Sequence, residues 1–247
     1  MATEIQICSF DELDSPLAEK CLTVVVPVYN EEKTVDVILR RILAQPSVAQ
    51  VVVVDDHSTD GTRERLQCWP LQDGRVQVVH HDRNQGKGAA VRTGLRLVTA
   101  PVVIVQDADL EYDPADYAPM LDRIRKNEAD VVYGSRFASR QTHRNALWHT
   151  FGNQLLTAVV NLSTGFRLTD SATCYKMFRR EVLAKINLEE DRFGFCPEVT
   201  AKVAKLGVRL AEVPISYHGR KVSEGKKIRL HDGIDALRCI IKYNWLR

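Results

Sequence analysis

Leu22-Thr23-Val24-Val25-Val26-Pro27-Val28-Tyr29-Asn30-Glu31-Glu32 is the stretch on which the reading of this 247-residue chain turns. Its first seven residues are apolar except for Thr23, rich in β-branched side chains and without polar alternation. Such a run forms a strand covered on both faces. Runs of the same kind recur at 51–54, 76–79, 102–105 and 131–133. Between them lie helix-like segments at about 31–45, 60–69, 87–99 and 114–127, the last opened by the helix-start signal Asp113-Pro114. Alternating units of this length predict an α/β fold: a doubly wound, mostly parallel sheet with helices on both faces.

Beyond residue 135 the pattern changes. Leu147, Phe151, Leu155, Val159 and Leu162 recur at helical spacing and predict an amphipathic helix over about 146–162. A helix over 197–207 and a strand over 208–215 follow, then a helix over 232–245 whose Ile234, Leu237, Ile241 and Trp245 share a face. The chain divides into an acidic N-terminal extension at 1–21, a main domain at 22–230 and a C-terminal amphipathic helix at 231–247.

Hydrophobic residues at 45% and charged residues at 27% describe an ordinary globular protein, and a net charge of +2 gives no reason to expect nucleic acid as a partner. The charge is unevenly placed. From Val131 to Thr169 there is no Asp or Glu, yet Arg136, Arg140, Arg144 and Arg167 lie there. That stretch faces either an anion, a membrane surface or plain solvent. A second basic cluster, Arg220, Lys221, Lys226, Lys227 and Arg229 against Glu224 alone, either closes over a diphosphate, touches anionic lipid or forms a charged loop. The six cysteines at 8, 21, 68, 174, 196 and 239 have no metal-site spacing, and no signal peptide is recognisable. A cytoplasmic setting with free thiols is therefore expected. No apolar run reaches the roughly 18 residues of a membrane span, so a lipid-linked substrate has to be met from the membrane surface. The expected location is peripheral on the cytoplasmic face, through direct contact or a membrane-anchoring partner.

In doubly wound sheets ligands bind at the carboxyl ends of the strands, and the chemically suggestive residues fall there. Asp107-Ala108-Asp109 follows the fourth run. Extended backbone would send both carboxylates to one side, where Mg²⁺ or Mn²⁺ bridging to phosphates would neutralise them, with Glu111 as a third ligand. The plain alternative is a solvated acidic turn before Pro114. Asp55-Asp56 follows the second run, and Asp56 is placed to accept hydrogen bonds from a nucleobase or ribose while Ser58, Thr59 or Asp60 caps the next helix. Asn84-Gln85-Gly86-Lys87-Gly88 is either a phosphate contact through Lys87 or a structural glycine turn. The seven histidines form no metal set, and no G-x-S-x-G elbow or reactive-cysteine context appears, which disfavours a hydrolase with a side-chain nucleophile.

Together, Val25–Glu32, Asp55-Asp56-x-Ser58-x-Asp60-Gly61-Thr62, Asn84-x-Gly86-Lys87-Gly88-x-Ala90, Gln106–Asp109 and Gly134-Ser135-Arg136 resemble the family 2 glycosyltransferases over about 22–230, in particular the dolichol- and polyprenol-phosphate mannose and glucose synthases. The resemblance implies a GT-A fold and an inverting transfer of mannose or glucose from a GDP- or UDP-hexose to a polyprenyl or dolichyl phosphate. It implies that Pro27, Tyr29, Glu31 and Asp56 line the nucleotide pocket and that Asp107, Asp109 and Glu111 are metal ligands. Arg136 and Arg144 match arginines that meet the acceptor phosphate, and Arg220 matches one that meets the donor phosphates. Trp148 stands where relatives carry a serine. An anionic phosphate acceptor needs no strong base; a sugar hydroxyl would, and Asp170 or Glu198 would supply it. A non-catalytic nucleotide-sugar-binding subunit is the reading from another class, and the intact Asp107/Asp109 dyad with Arg220 argues against it. A nucleotidyltransferase would carry a glycine-rich turn where Pro27–Glu31 stands.

Overall fold

The computed structural model describes residues 17–138, 147–192, 194–220 and 230–246, with backbone alone at 147–151, 230–232 and 234. Arg140, Arg144 and the cluster Lys221, Glu224, Lys226, Lys227 and Arg229 lie outside the described residues, as does most of the N-terminal extension. In chain order the elements are β1 (Leu22–Val28), α1 (Val35–Leu43), β2 (Val48–Asp55), α2 (Thr62–Gln67), α3 (Trp69–Gln72), β3 (Val76–His80), α4 (Lys87–Leu95) and β4 (Val102–Val105). A short 3-10 turn at Pro114–Asp116 leads into α5 (Tyr117–Arg125), β5 (Val131–Ser135), α6 (Leu147–Thr164), β6 (Lys176–Arg179), α7 (Arg180–Ala184), α8 (Phe195–Lys205) and β7 (Leu210–Pro214). The chain then closes with α9 (Leu230–Ile241), which runs into a π-helical turn at Lys242–Leu246.

The strands form one seven-stranded sheet in the order β3-β2-β1-β4-β6-β5-β7. All pairings are parallel except those of β6, which runs against both β4 and β5. The first run has no polar alternation because it serves two cores. Val24, Val26 and Val28 pack with Ile38, Leu39 and Ile42 of α1 and with Leu121 and Ile124 of α5. Val25 faces the opposite layer, with Val160 of α6 and Val199 and Val203 of α8. Pro27 is tolerated inside this central strand because the β1–β4 ladder ends at Val25↔Val105, so its missing N–H lies on the side where pairing has stopped.

β6 was not legible as a strand, since Lys and Arg bound it. Both are buried by local compensation. Lys176 is fully buried, donates to the Ser171 carbonyl at 3.0 Å and stands 3.5 Å from the Tyr133 ring centre. Arg179 donates to the Ile124 carbonyl at 2.9 Å. Because β6 runs backwards, the segment that enters it, 170–175, reaches the same sheet edge as the carboxyl ends of the other strands.

The helix over 147–164 is turned in an unexpected way. Its polar side chains point inward: Asn153 to Asp170, Thr157 to Ser171 and Asn161 to the Leu168 carbonyl. Leu155 and Leu162 are 58% and 88% exposed. In the last helix Cys239, Ile240 and Tyr243 are buried, whereas Leu237, Ile241 and Trp245 of the expected apolar face lie outside. No described helix is long and apolar enough to cross a membrane.

α4 packs on β1 through Gly94, where an added Cβ would collide with the Val25 side chain. Gly94→Ala should lower the free energy of unfolding by about 1–3 kcal/mol through overpacking. Gly74→Ala, where a Cβ meets nothing within 4 Å, should change it by less than about 1 kcal/mol. Urea denaturation of the two variants checks the difference, and equal effects would contradict this packing.

Candidate active site

The turns after β1 and β2 are sewn together. The Asn30 N–H donates to Ser58 Oγ at 2.9 Å, the Thr59 N–H to Asn30 Oδ1 at 2.8 Å, and the Glu31 N–H to Thr62 Oγ1 at 2.9 Å. Asn30 and His57 take left-handed backbone, φ 53° and 63°. Asp60 joins this stitching: its carboxylate accepts from the N–H of Thr62, the first residue of α2, as expected of a residue that caps that helix, and from the Glu32 N–H. Tyr29 stands exposed at the rim, and Pro27 lies at the strand end beneath it. Asp56 does not stand open to a nucleobase. Its carboxylate is 2.7 Å from His81 Nδ1 and accepts from the Gln85 and Gly86 N–H groups at 2.9 and 2.7 Å. It fastens the 84–86 turn to the sheet edge. Beside it, His57 keeps a buried Nδ1 without a hydrogen-bond partner.

The two readings of 84–88 are separated by what covers the glycines. A Cβ on Gly86 would collide with the Asp191 carbonyl oxygen, and one on Gly88 with that of Glu190. The Ala89 N–H donates to the Asp191 carbonyl at 3.1 Å. These glycines let the 190–191 backbone close over the start of α4, so they are structural. Lys87 turns elsewhere, to Asp107 at 2.6 Å and Cys174 Sγ at 3.0 Å.

Asp107, Ala108 and Asp109 lie beyond the end of β4 in a turn, with Leu110 at φ 63°, so strand pleating is not what relates the two carboxylates. Gln106 anchors this turn. It is fully buried, its Oε1 accepts from Tyr117 Oη at 2.7 Å, and its Nε2 donates to the Asp107 carbonyl at 3.1 Å. Burial pushes the Asp109 carboxyl up, and repulsion from Asp107 and Glu111 adds to it, to about 7. Glu111, expected as a third metal ligand, is occupied otherwise: it accepts from Tyr217 Oη at 2.9 Å and the Arg220 N–H at 2.8 Å. Among the described residues no three His, Cys, Asp or Glu side chains are grouped as a metal site. Arg220 donates to Glu31 at 2.8 Å and to the Asp109 carbonyl at 2.8 Å. Of the four carboxylates gathered here, Glu31 pairs with the Arg220 side chain and Asp107 with Lys87, while Glu111 takes the Arg220 backbone N–H and Asp109 has neither ion pair. This hard-oxygen set carries an excess of negative charge, which fits Mg²⁺ or Mn²⁺ at Asp107 and Asp109.

On the other side of the edge, Arg136 grips Asp170 with two prongs, Nε to Oδ2 at 2.6 Å and Nη2 to Oδ1 at 2.8 Å. The Arg136 guanidinium also lies 5.1 Å from the Tyr217 ring centre. Burial alone would raise the Asp170 carboxyl, but the hydrogen bonds and charge of Arg136, with Asn153, hold it below the usual carboxylate range. Asp170 is therefore a poor base. Glu198 is equally committed, accepting from the Glu189 and Glu190 N–H groups at 2.7 and 2.9 Å and pairing with Lys202 at 2.6 Å. Arg144 lies outside the described residues, so only Arg136 of the expected clamp is placed.

Three participants escaped the sequence reading: Gln106, Asn153 and Tyr217, which joins Glu111 to Arg136. Tyr217 gave no signal, because its partners are more than eighty residues away in the chain. Asn153, Thr157 and Asn161 did give one, a polar stripe at spacing of four across an otherwise apolar helix.

A glucosyl-3-phosphoglycerate synthase from Mycobacterium tuberculosis, solved with Mn²⁺, uridine diphosphate and phosphoglyceric acid, superposes with a TM-score of 0.70 at 19% identity, covering 98% of this chain and 84% of that one. That likeness carries the fold, GT-A. An undecaprenyl-phosphate mannosyltransferase from Micrococcus luteus is 31% identical over 211 residues, 82% of this chain and 85% of that protein. A polyprenol monophosphomannose synthase from Mycolicibacterium smegmatis is 32% identical, covering 82% and 79%. A dodecaprenyl-phosphate galacturonate synthase from Rhizobium johnstonii is 25% identical, and the match spans 62% of its length. Residues 23–186, strands β1 to β6 with the turns that carry the acidic edge, match glycosyl transferase family 2, and the chain belongs to that family.

Proposed function

We propose that this protein transfers a hexose, mannose or glucose, from a GDP- or UDP-sugar to a polyprenyl phosphate at a membrane surface. The observation that carries the reading is the state of the two carboxylates that could deprotonate a hydroxyl acceptor. Asp170 is held by Arg136 and Glu198 by two backbone N–H groups and Lys202. That state supports an acceptor that arrives already anionic, as a phosphate monoester does near neutral pH. The relatives named for undecaprenyl- and polyprenol-phosphate substrates support the same acceptor.

A divalent cation at Asp107 and Asp109, when bound, would neutralise the diphosphate leaving group. The chain's own residues do the rest. Lys87 and Arg220 supply fixed positive charge beside the acidic turn, and Gln106 holds that turn in register. Arg136, oriented by Asp170 and backed by Tyr217, presents a guanidinium to the acceptor phosphate, with Arg144 as its expected partner. Pro27, Tyr29 and Glu31 border the nucleoside, and Asp56 shapes its pocket through the 84–86 turn. The uncharged outer face of α6, with Leu155 and Leu162, would rest in the lipid interface.

The deciding experiment incubates the protein with radiolabelled GDP- and UDP-hexoses and vesicles containing polyprenyl phosphate. Label should become organic-extractable with one donor; label confined to water-soluble glycan would overturn the reading. Asp107→Ala and Asp109→Ala should each lower transfer by roughly 100-fold or more, the scale of removing one preorganised charge contact, and excess chelator should do the same to the unmodified protein. Full transfer in chelator would exclude the cation.

Asp170→Asn tests the base directly. It should cost about 10- to 100-fold, the value of one charged hydrogen bond that orients Arg136, and leave the pH profile of the residual activity unchanged. A lost acid limb would make Asp170 a general base. Arg136→Lys should raise the acceptor KM while donor affinity, measured by calorimetry, stays constant.

Leu155→Glu with Leu162→Glu should abolish co-sedimentation with anionic vesicles and leave donor binding intact. Undiminished sedimentation would remove α6 from the membrane contact.

A further inference from the structure

Behind the Lys87–Asp107 pair lies a feature that sugar transfer does not use. Cys174, in the turn entering β6, and Cys196, in the first turn of α8, bring their sulfurs to 3.7 Å. Both line an apolar cavity of about 160 Å³ together with Leu156, Val160, Phe195 and Ile240. Cys174 Sγ also accepts from Lys87 Nζ at 3.0 Å. We propose that Cys174 and Cys196 form a redox-sensitive dithiol, closed to a disulfide by hydrogen peroxide, whose state sets whether Lys87 is shared between Cys174 and Asp107.

The surroundings favour a thiolate at Cys196. A hydrogen bond with Cys174 lowers the Cys196 thiol most, burial opposes it, and the charges of Lys176 and Lys87 lower it further. The amino end of an 11-residue helix acts in the same direction. Lys176 is fully buried nearby; burial pushes its ammonium down, and negative charge on Cys196 acts against that.

The chemistry balances with hydrogen peroxide as oxidant. The Cys196 thiolate attacks one peroxide oxygen, the O–O bond breaks, and hydroxide leaves, taking the proton of Cys174 to become water. Cys174 then attacks the sulfur of the sulfenic acid formed on Cys196, the S–S bond closes, and the displaced hydroxide takes up a proton as the second water. Two thiols lose two electrons and one peroxide gains them. The sulfurs must approach from 3.7 Å to about 2.05 Å. That movement draws Cys174 from Lys87, and Lys87 is left with Asp107 alone of these two partners. An ammonium held there more tightly competes with a cation for Asp107.

The test uses the full chain with Cys68, an exposed thiol, replaced by serine to remove intermolecular disulfides. After hydrogen peroxide, peptide mapping without reductant should give a Cys174–Cys196 linked peptide, transfer should fall about tenfold, and dithiothreitol should reverse both. Cys174→Ser should yield a trappable sulfenic acid on Cys196 and no linked peptide. Absence of the linked peptide in the protein carrying both thiols overturns the dithiol, and a linked peptide with undiminished transfer overturns its control of Lys87. The loss of transfer rests on the function proposed above, but the linkage does not. A reduced protein inactive toward every donor but still forming the linked peptide would refute that function and leave the dithiol standing.

Discussion

Burying carboxylates at the end of an apolar strand is costly unless cations or donors answer them, and the carboxyl edge of this sheet is built around that constraint. Asp107, Asp109 and Glu111 follow β4 within six residues, and Glu31 joins them from the turn after β1. Lys87 reaches Asp107 from the start of α4, and Arg220 reaches Glu31 and the Asp109 carbonyl from beyond β7. Each cation therefore ties one distant segment to the acidic turn. The compensation is partial, and the raised Asp109 carboxyl is its measure. A fully neutralised edge would have little affinity for a divalent cation; one with no internal cations would resist folding in its absence.

How much of this was legible depends on whether a residue's role is set by its neighbours in sequence. The runs that became β1 to β5 were readable because strands buried on both faces must be apolar throughout. β6 obeys the same burial with Lys176 and Arg179 at its ends, their charges met by a carbonyl, an aromatic face and a helix end that no local pattern announces. The sheet-edge location of Asp56, Asp107 and Asp109 was readable from topology. Their geometry was not, because turns replace the strand pleat: Asp107 and Asp109 lie in a turn that continues into a left-handed Leu110, and Asp56 is closed off by a loop thirty residues later. Glu111 shows the same limit. Spacing of two suggested a shared ligand, whereas Tyr217 and Arg220, a hundred residues away, take its carboxylate.

α6 joins two environments that usually occupy different elements. Its inward side hydrogen-bonds the acceptor-side residues through Asn153 and Thr157, and its outward side carries leucines without a charged residue from end to end. An ordinary surface helix has the reverse arrangement. The inversion makes sense if the apolar medium is outside, because the only polar partners then available are those of the site. Asn153 links α6 to Asp170 and through it to Arg136, so if the helix seats in lipid as proposed, that movement would reach the guanidinium.

The start of α4 limits how the phosphates of the proposed donor would be met. In many nucleotide-binding α/β proteins a glycine-rich turn leaves a helix amino end open to phosphate. Here the glycines serve to admit the backbone of 190–191, and the Ala89 N–H is taken by the Asp191 carbonyl. That strap is itself fixed by Glu198, which accepts its N–H groups, and by Arg92, which donates to the Glu190 carbonyl at 2.9 Å. With the helix end closed, backbone dipoles there are turned to the 190–191 strap. In the proposed reaction, positive charge for the leaving diphosphate would come from side chains and a cation at the acidic turn. Lys87 already rests on Asp107, and Arg220 on Glu31 and the Asp109 carbonyl, so a metal bound at Asp107 and Asp109 and these fixed cations would face a diphosphate from one surface.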